Sequence, residues 1–265
     1  MTQPISPVLG QGEVLPELDI FPPERQRRWT VLLRLLLLIP QFIALFVVSI
    51  AVFVVMVIAW FGALGMGRLP TWCADFLAWY LVWSTQVGAY ASLLVDTYPP
   101  YGSPDAYPVS LELPPGGPLN RAAVFFRFIL FIPAALMLGF LSVGWGMLAV
   151  FFWLAVLILG RTPRPVFDAG AAIVRYQMRA SAYYMMLTPA YPKRLFGDVA
   201  AAPVPPRSST RPLQLSSGAR ALLVVIIVLG VLGQLWNNTW PLFVPRYDDQ
   251  YGYYHALDAE VLSRW

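Results

Sequence analysis

QFIALFVVSIAVFVVMVIAWFGALGM, residues 41–66, carries no charged side chain in 26 positions. As a helix it covers about 39 Å, enough to cross a hydrocarbon core of about 30 Å with some tilt. AALMLGFLSVGWGMLAVFFWLAVLIL, residues 134–159, is equally uncharged. The composition agrees with a partly lipid solvent. Of 265 residues, 58% are hydrophobic and only 12% charged, about half the charged share of soluble domains. Mean hydropathy is +0.62.

The two stretches belong to one repeated unit. An ungapped shift of 93 residues lays Leu18–Pro99 on Leu111–Pro192, with 23 of 82 positions identical. The identities include Arg28 with Arg121, Arg34 with Arg127, Pro40 with Pro133, and Trp60 with Trp153. Gly67-Arg68-x-Pro70 matches Gly160-Arg161-x-Pro163. Asp75 matches Asp168, Tyr90 matches Tyr183, and Tyr98-Pro99 matches Tyr191-Pro192. Residues of these types do not align through shared hydrophobicity, so the chain contains a tandem duplication.

Each unit opens with a short alternating segment, Leu18-Asp19-Ile20 or Val109 to Leu113. Period-2 alternation beside prolines predicts a short edge strand, and the two copies are expected to pair outside the membrane. Residues 25–39 place Arg27, Thr30 and Arg34 on one helical face among leucines. About 22 Å long, this segment is too short to cross, and it is expected to lie in the interface. Pro40 is expected to break it from the next helix. The uncharged stretch then crosses, and Gly67 and Pro70 turn the chain. Residues 72–95 and 166–187 are semi-polar helices expected to return through the membrane, with a shallow interfacial path as the alternative.

The expected fold is therefore an all-α membrane protein with two tandem repeats. Each repeat is an interfacial amphipathic helix plus a transmembrane helix pair, and one C-terminal transmembrane helix follows. The expected segments are a disordered stretch 1–17, a first module 18–101, a second module 102–198 and a linker 199–218. The last helix is 219–236, and 237–265 is an extracytoplasmic tail. Residues 1–24 hold five prolines and four carboxylates without an apolar run, so no cleaved signal is expected. Arg25, Arg27 and Arg28, with the basic cluster at 193–220, set a cytoplasmic N-terminus. Two crossings per module follow, giving parallel repeats about an axis along the membrane normal. Arg68, Arg161 and Arg164 then fall in outer turns, against that rule.

The chain carries no constellation for catalysis. Its one cysteine, Cys73, and one histidine, His255, lie far apart and make no disulfide, zinc or haem site. The net charge of +4 comes from clustered arginines beside apolar runs and marks topology, not nucleic-acid binding. Asn237-Asn238-Thr239 matches a glycosylation sequon by chance composition at the membrane edge. No cofactor is expected. The candidate site residues are the repeated polar and aromatic ones. Arg34 and Arg127 suit lipid phosphate or interfacial snorkelling. Asp75 with Arg68, and Asp168 with Arg161, are expected to staple the turns or to line a path. Trp60, Trp153, Tyr90 and Tyr183 mark interface depth or helix packing. Gly139 and Gly144 are expected at most to permit close helix packing.

The pattern R-x5-P, an uncharged helix, G-R-x-P, then a helix ending A-Y-x3-L-x3-Y-P resembles the DUF4389 family of bacterial membrane proteins. Residues 21–101 carry it most closely; the second copy departs at 114–117 and at Arg175 and Arg179. The resemblance covers residues 18–195 and implies a helical fold and a bacterial plasma membrane location, without a reaction. The expected function is a non-catalytic structural or accessory subunit of a larger membrane complex, in contact with lipids and other membrane subunits. The alternative is a small transporter or lipid-binding protein with its site at the repeat interface.

Overall fold

The structure is a computed structural model and describes residues 14–102, 107–198 and 208–239. The expectations for 1–13, the first part of the linker (199–207) and nearly all of the tail lie outside the described residues. The described residues form six helices and two short strands. In chain order these are β1 (Glu17–Ile20), α1 (Arg28–Met66), α2 (Thr71–Ala91), β2 (Val109–Glu112), α3 (Arg121–Phe125), α4 (Arg127–Leu159), α5 (Arg164–Tyr184) and α6 (Ser217–Thr239).

The expected short helix over 25–39 is not separate. α1 runs unbroken through Pro40 for 39 residues, about 58 Å. α4 likewise runs through Pro133. Proline removes one backbone bond from a helix. In an all-apolar sequence, however, leaving the helix would strand many more polar backbone groups. Gly67 and Gly160 end the two helices at φ of 68° and 66°, the left-handed conformation that glycine adopts without penalty.

Three helices are long and apolar enough to cross a membrane, namely α1, α4 and α6. α2 and α5, expected as returning spans, are not among them. They form the interior instead, and 16 of the 21 residues of α5 are buried. Several polar side chains in these segments, among them Thr85, Gln86, Arg175 and Arg179, are buried against protein. Gln86 Nε2 donates to the Val109 carbonyl, and Arg179 Nε donates to the Pro16 carbonyl.

β1 and β2 pair antiparallel, with Leu18 opposite Leu111, as the alternation predicts. The sheet packs on α2 and α5; those pack in turn on α1 and α4. α6 lies along α4. Gly144 and Gly230 permit this contact. A Cβ on Gly144 would overlap the Ile226 carbonyl, and one on Gly230 would overlap that of Phe140. The outermost layer is apolar and open. Phe42, Phe46, Ile50, Phe53 and Phe61 of α1 are all exposed, a patch far larger than soluble monomers carry.

The two modules are related by a two-fold axis, visible as contacts made twice with roles exchanged. Gln26 N donates to Gly160 O at 2.9 Å, and its equivalent, Leu119 N, donates to Gly67 O at 2.8 Å. Trp153 Nε1 reaches Val31 O at 2.8 Å, while Trp60 Nε1 reaches Val124 O at 3.1 Å. Arg28 reaches Ile158 O, while Arg121 reaches Gly65 O. This is the isologous pattern of a symmetric dimer, built within one chain. It places the start of α1 beside the end of α4, and the end of α1 beside the start of α4. The axis therefore stands perpendicular to both long helices. The expected pairing of crossing helices with an axis along the membrane normal is thus corrected. Crossing by α1 and α4 would lay the axis in the membrane plane.

Candidate functional site

Where each long helix begins, its arginine turns inward. Arg34 is 2% and Arg127 is 4% exposed. Each guanidinium stacks on the tyrosine at the end of its own module's second helix. Arg34 Cζ lies 4.3 Å from the Tyr90 ring centre, and Arg127 Cζ lies 4.2 Å from that of Tyr183. A second tyrosine backs each pair edge-on, Tyr98 against Tyr90 and Tyr191 against Tyr183. A cation over an aromatic face gains about 2 kcal/mol when both are desolvated.

The opposite module completes each site with its tryptophan. Arg34 and Trp153 line one groove with Leu35, Leu93 and Val150. Arg127 and Trp60 line the other with Phe128, Met186 and Val57, at about 650 Å³. These are equivalent positions in the repeat, so the grooves form a symmetric pair at the module interface. Their rims are exposed apolar side chains, among them Leu35, Val57, Phe61, Phe128 and Val150. Leu93 and Met186 hold φ of 62° and 63°. Large residues rarely adopt that conformation, and such outliers concentrate at functional sites.

The two sites differ in charge. Arg34 pairs with Asp96 at 3.3 Å and donates to the Tyr90 carbonyl at 2.8 Å. It also reaches Gln26 Oε1 at 3.3 Å. In the second module Gln26 becomes Leu119 and Asp96 becomes Pro189. Arg127 donates Nη2 to the Thr188 carbonyl at 2.6 Å, and its buried Nε, like that of Arg34, has no hydrogen-bond partner. Among the described residues Arg127 makes no ion pair.

The structure brings Arg34, Tyr90 and Trp153 together, and Arg127, Tyr183 and Trp60. It leaves the two aspartates elsewhere. Among the described residues, Asp75 makes no ion pair with Arg68, nor Asp168 with Arg161, so the expected turn staples do not form. Asp75 and the two arginines are exposed, and water solvates them at less entropic cost than an ion pair would. Asp168 is buried and accepts from Ser216 Oγ at 3.2 Å, anchoring the start of α6.

Sequence reading missed Gln26 and Asp96, which set the charge of the first site. Their signal was present as a mismatch between the copies beside matched arginines. It also missed a second buried pair on α5. Arg175 and Arg179, each 1% exposed, bind Asp198 at 2.7 Å and Glu17 at 3.4 Å. Burial, then the neighbouring Arg175, lowers Arg179 to about 10. These contacts tie the 193–198 segment and β1 to α5, and they are structural. Among the described residues, no group of three or more metal-ligating side chains occurs.

No curated protein and no solved structure matches the chain. The family model described as a domain of unknown function, DUF4389, matches residues 28–102 and again 121–195. Those two stretches take in both arginines, both tyrosine pairs and both tryptophans, and cover more than half of the sequence; the chain belongs to the DUF4389 family and carries its domain twice.

Proposed function

We propose that this protein is a non-catalytic membrane protein that binds an anionic amphiphile in the groove lined by Arg127, Trp60 and Phe128. The observation that carries this reading is the state of Arg127. A buried guanidinium without a carboxylate is costly unless a counter-ion reaches it. A guanidinium also matches phosphate or carboxylate oxygens in geometry. The groove around it is lined by aromatic and aliphatic side chains with exposed rims, which suits an acyl chain entering from the bilayer. The Arg34 groove shares equivalent lining positions, but Asp96 already neutralises its arginine. The location we propose is the bacterial plasma membrane, with the basic segment at Arg25, Arg27 and Arg28 facing the cytoplasm.

Native mass spectrometry of protein released from bilayers containing phosphatidylglycerol and phosphatidylcholine tests this. The expected result is one tightly retained phosphatidylglycerol, lost in Arg127→Gln and kept in Arg68→Gln. Equal retention of both lipids, or retention unchanged in Arg127→Gln, would overturn it.

One observation favours a second reading, that of an accessory subunit. α6 covers a face of α4 whose repeat equivalent on α1, with Phe46, Val47, Ile50 and Val54, is exposed. A partner helix docked there would restore the symmetry. Co-purification at fixed stoichiometry, abolished by Ile50→Trp, would support it.

A further inference from the structure

We infer that α1 and α4 do not cross the bilayer but lie in its plane, with the two-fold axis along the membrane normal and the sheet in water. Length and composition qualify both helices for crossing; the connections between them do not.

The path of the chain decides this. α2 ends beside the start of α1, since the Tyr90 carbonyl accepts from Arg34. α4 begins at the other end of α1, since Leu119 N donates to Gly67 O. Residues 92–120 therefore run from one end of the long helices to the other. Their described part contains β2 and otherwise irregular backbone. α5 ends beside Arg127, and α6 begins at the opposite end beside Asp168. Residues 185–216 therefore make the reverse journey, again without a helix in their described part.

If α1 and α4 crossed, the irregular described parts of both connections would pass through hydrocarbon. Lipid does not tolerate that, because such backbone cannot satisfy its own hydrogen bonds. The sheet would also sit at the bilayer midplane, since the two-fold axis passes through its Leu18–Leu111 pair. Exposed Glu112, its partner Arg211 and half-exposed Arg194 would then face acyl chains, where charges are strongly excluded.

Turning the axis to the membrane normal removes every conflict. The apolar layer of α1 and α4 enters the acyl region of one leaflet, and α6, lying along α4, enters with it. α2 and α5 sit above at headgroup depth, and the charged sheet and both connections stay in water. Arg25, Arg27 and Arg28 at one end, and Arg68 and Arg121 at the other, then ring the layer at one depth. That arrangement complements an anionic headgroup surface. The occupant of the open face is the acyl layer of a single leaflet. This orientation does not depend on what the Arg127 groove binds.

Single cysteines placed in full-length Cys73→Ser protein test it. Arg68→Cys and Arg161→Cys mark the two ends, and Glu112→Cys marks the sheet. The protein is expressed in a bacterial host and exposed to a membrane-impermeant maleimide in spheroplasts and in inverted inner-membrane vesicles. The expected result is that all three react from the same side. Reaction of the two ends from opposite sides would overturn the inference. Nitroxide labels at Leu35, Phe46 and Val57 provide a second readout, because residues 35 to 57 span about 33 Å of helix. Quenching by lipid-borne and aqueous agents is expected to report one common depth. A depth that changes steadily along the helix would overturn the inference. So would labels inaccessible to both agents, which would put a protein partner on the face.

Discussion

At the residue scale, the chemistry rests on which charges have partners. Asp96 gives Arg34 a counter-ion that Pro189 cannot give Arg127. Asp96→Asn is expected to convert the first groove into a second anion site, raising retained phosphatidylglycerol from one to two per chain in native mass spectra. Asp198 behaves differently. Burial alone would raise its carboxyl, but the Arg175 guanidinium, the Leu213 amide and Arg179 outweigh burial and hold it below its ordinary value of 3.8. The folded value lies below the unfolded one, so the stabilisation is complete above 3.8 and is lost as pH falls through the folded value. Glu17 acts the opposite way, because burial, only partly offset by Arg179, raises it above 4.5. Asp198→Asn is expected to lower stability by about 3 kcal/mol at pH 7, since it strands a buried arginine. The gap to the parent protein should narrow below pH 4. Thermal unfolding in detergent at pH 7 and pH 3.5 checks both the size and the narrowing.

At the element scale, α6 depends on close backbone approach to α4. Gly144 and Gly230 meet each other's helices where no Cβ fits. Small residues at such crossings are the main source of helix association in lipid. Gly230→Leu is expected to push α6 off α4, costing about 3 kcal/mol or more, while Gly146→Leu, which meets nothing within 4 Å, should be silent. Disulfide trapping between cysteines at Phe140 and Leu229 reads the docking directly. The paired tryptophan bonds to Val31 and Val124 are a smaller matter. Each is worth about 1 kcal/mol, so Trp60→Phe should leave the modules joined.

At the scale of the whole molecule, the modules hold each other through reciprocal contacts and a shared sheet. An interface of this symmetric kind does not require chain continuity. Two co-expressed fragments, broken between residues 102 and 107, are expected to co-purify and to retain lipid as the intact chain does. Recovery of the fragments only as separate species would contradict the reciprocal contacts. The duplicated fold also explains the asymmetry. Two equal copies permit one groove to be neutralised internally while the other keeps its charge, and α6 adds a partner for only one of the long helices.

The sequence by itself determined the duplication, the apolar helices, the two short strands and the family. These depend on local periodicity and on residues that survive at a fixed spacing. It also pointed to both arginines, tyrosines and tryptophans. It did not show that Trp60 serves Arg127 and Trp153 serves Arg34, because each pair joins residues from different modules. Nor could it separate a helix that crosses from one that lies flat, since both need the same apolar side chains. It placed α2 and α5 in the membrane because their many apolar residues look alike whether they meet lipid or protein. The tertiary structure decided the cross-module pairing and the burial of α2 and α5, and it is the ground on which the flat orientation is inferred. The direction of one long helix relative to the other is set by where the connecting segments begin and end, and that is a property of packing that no local pattern records.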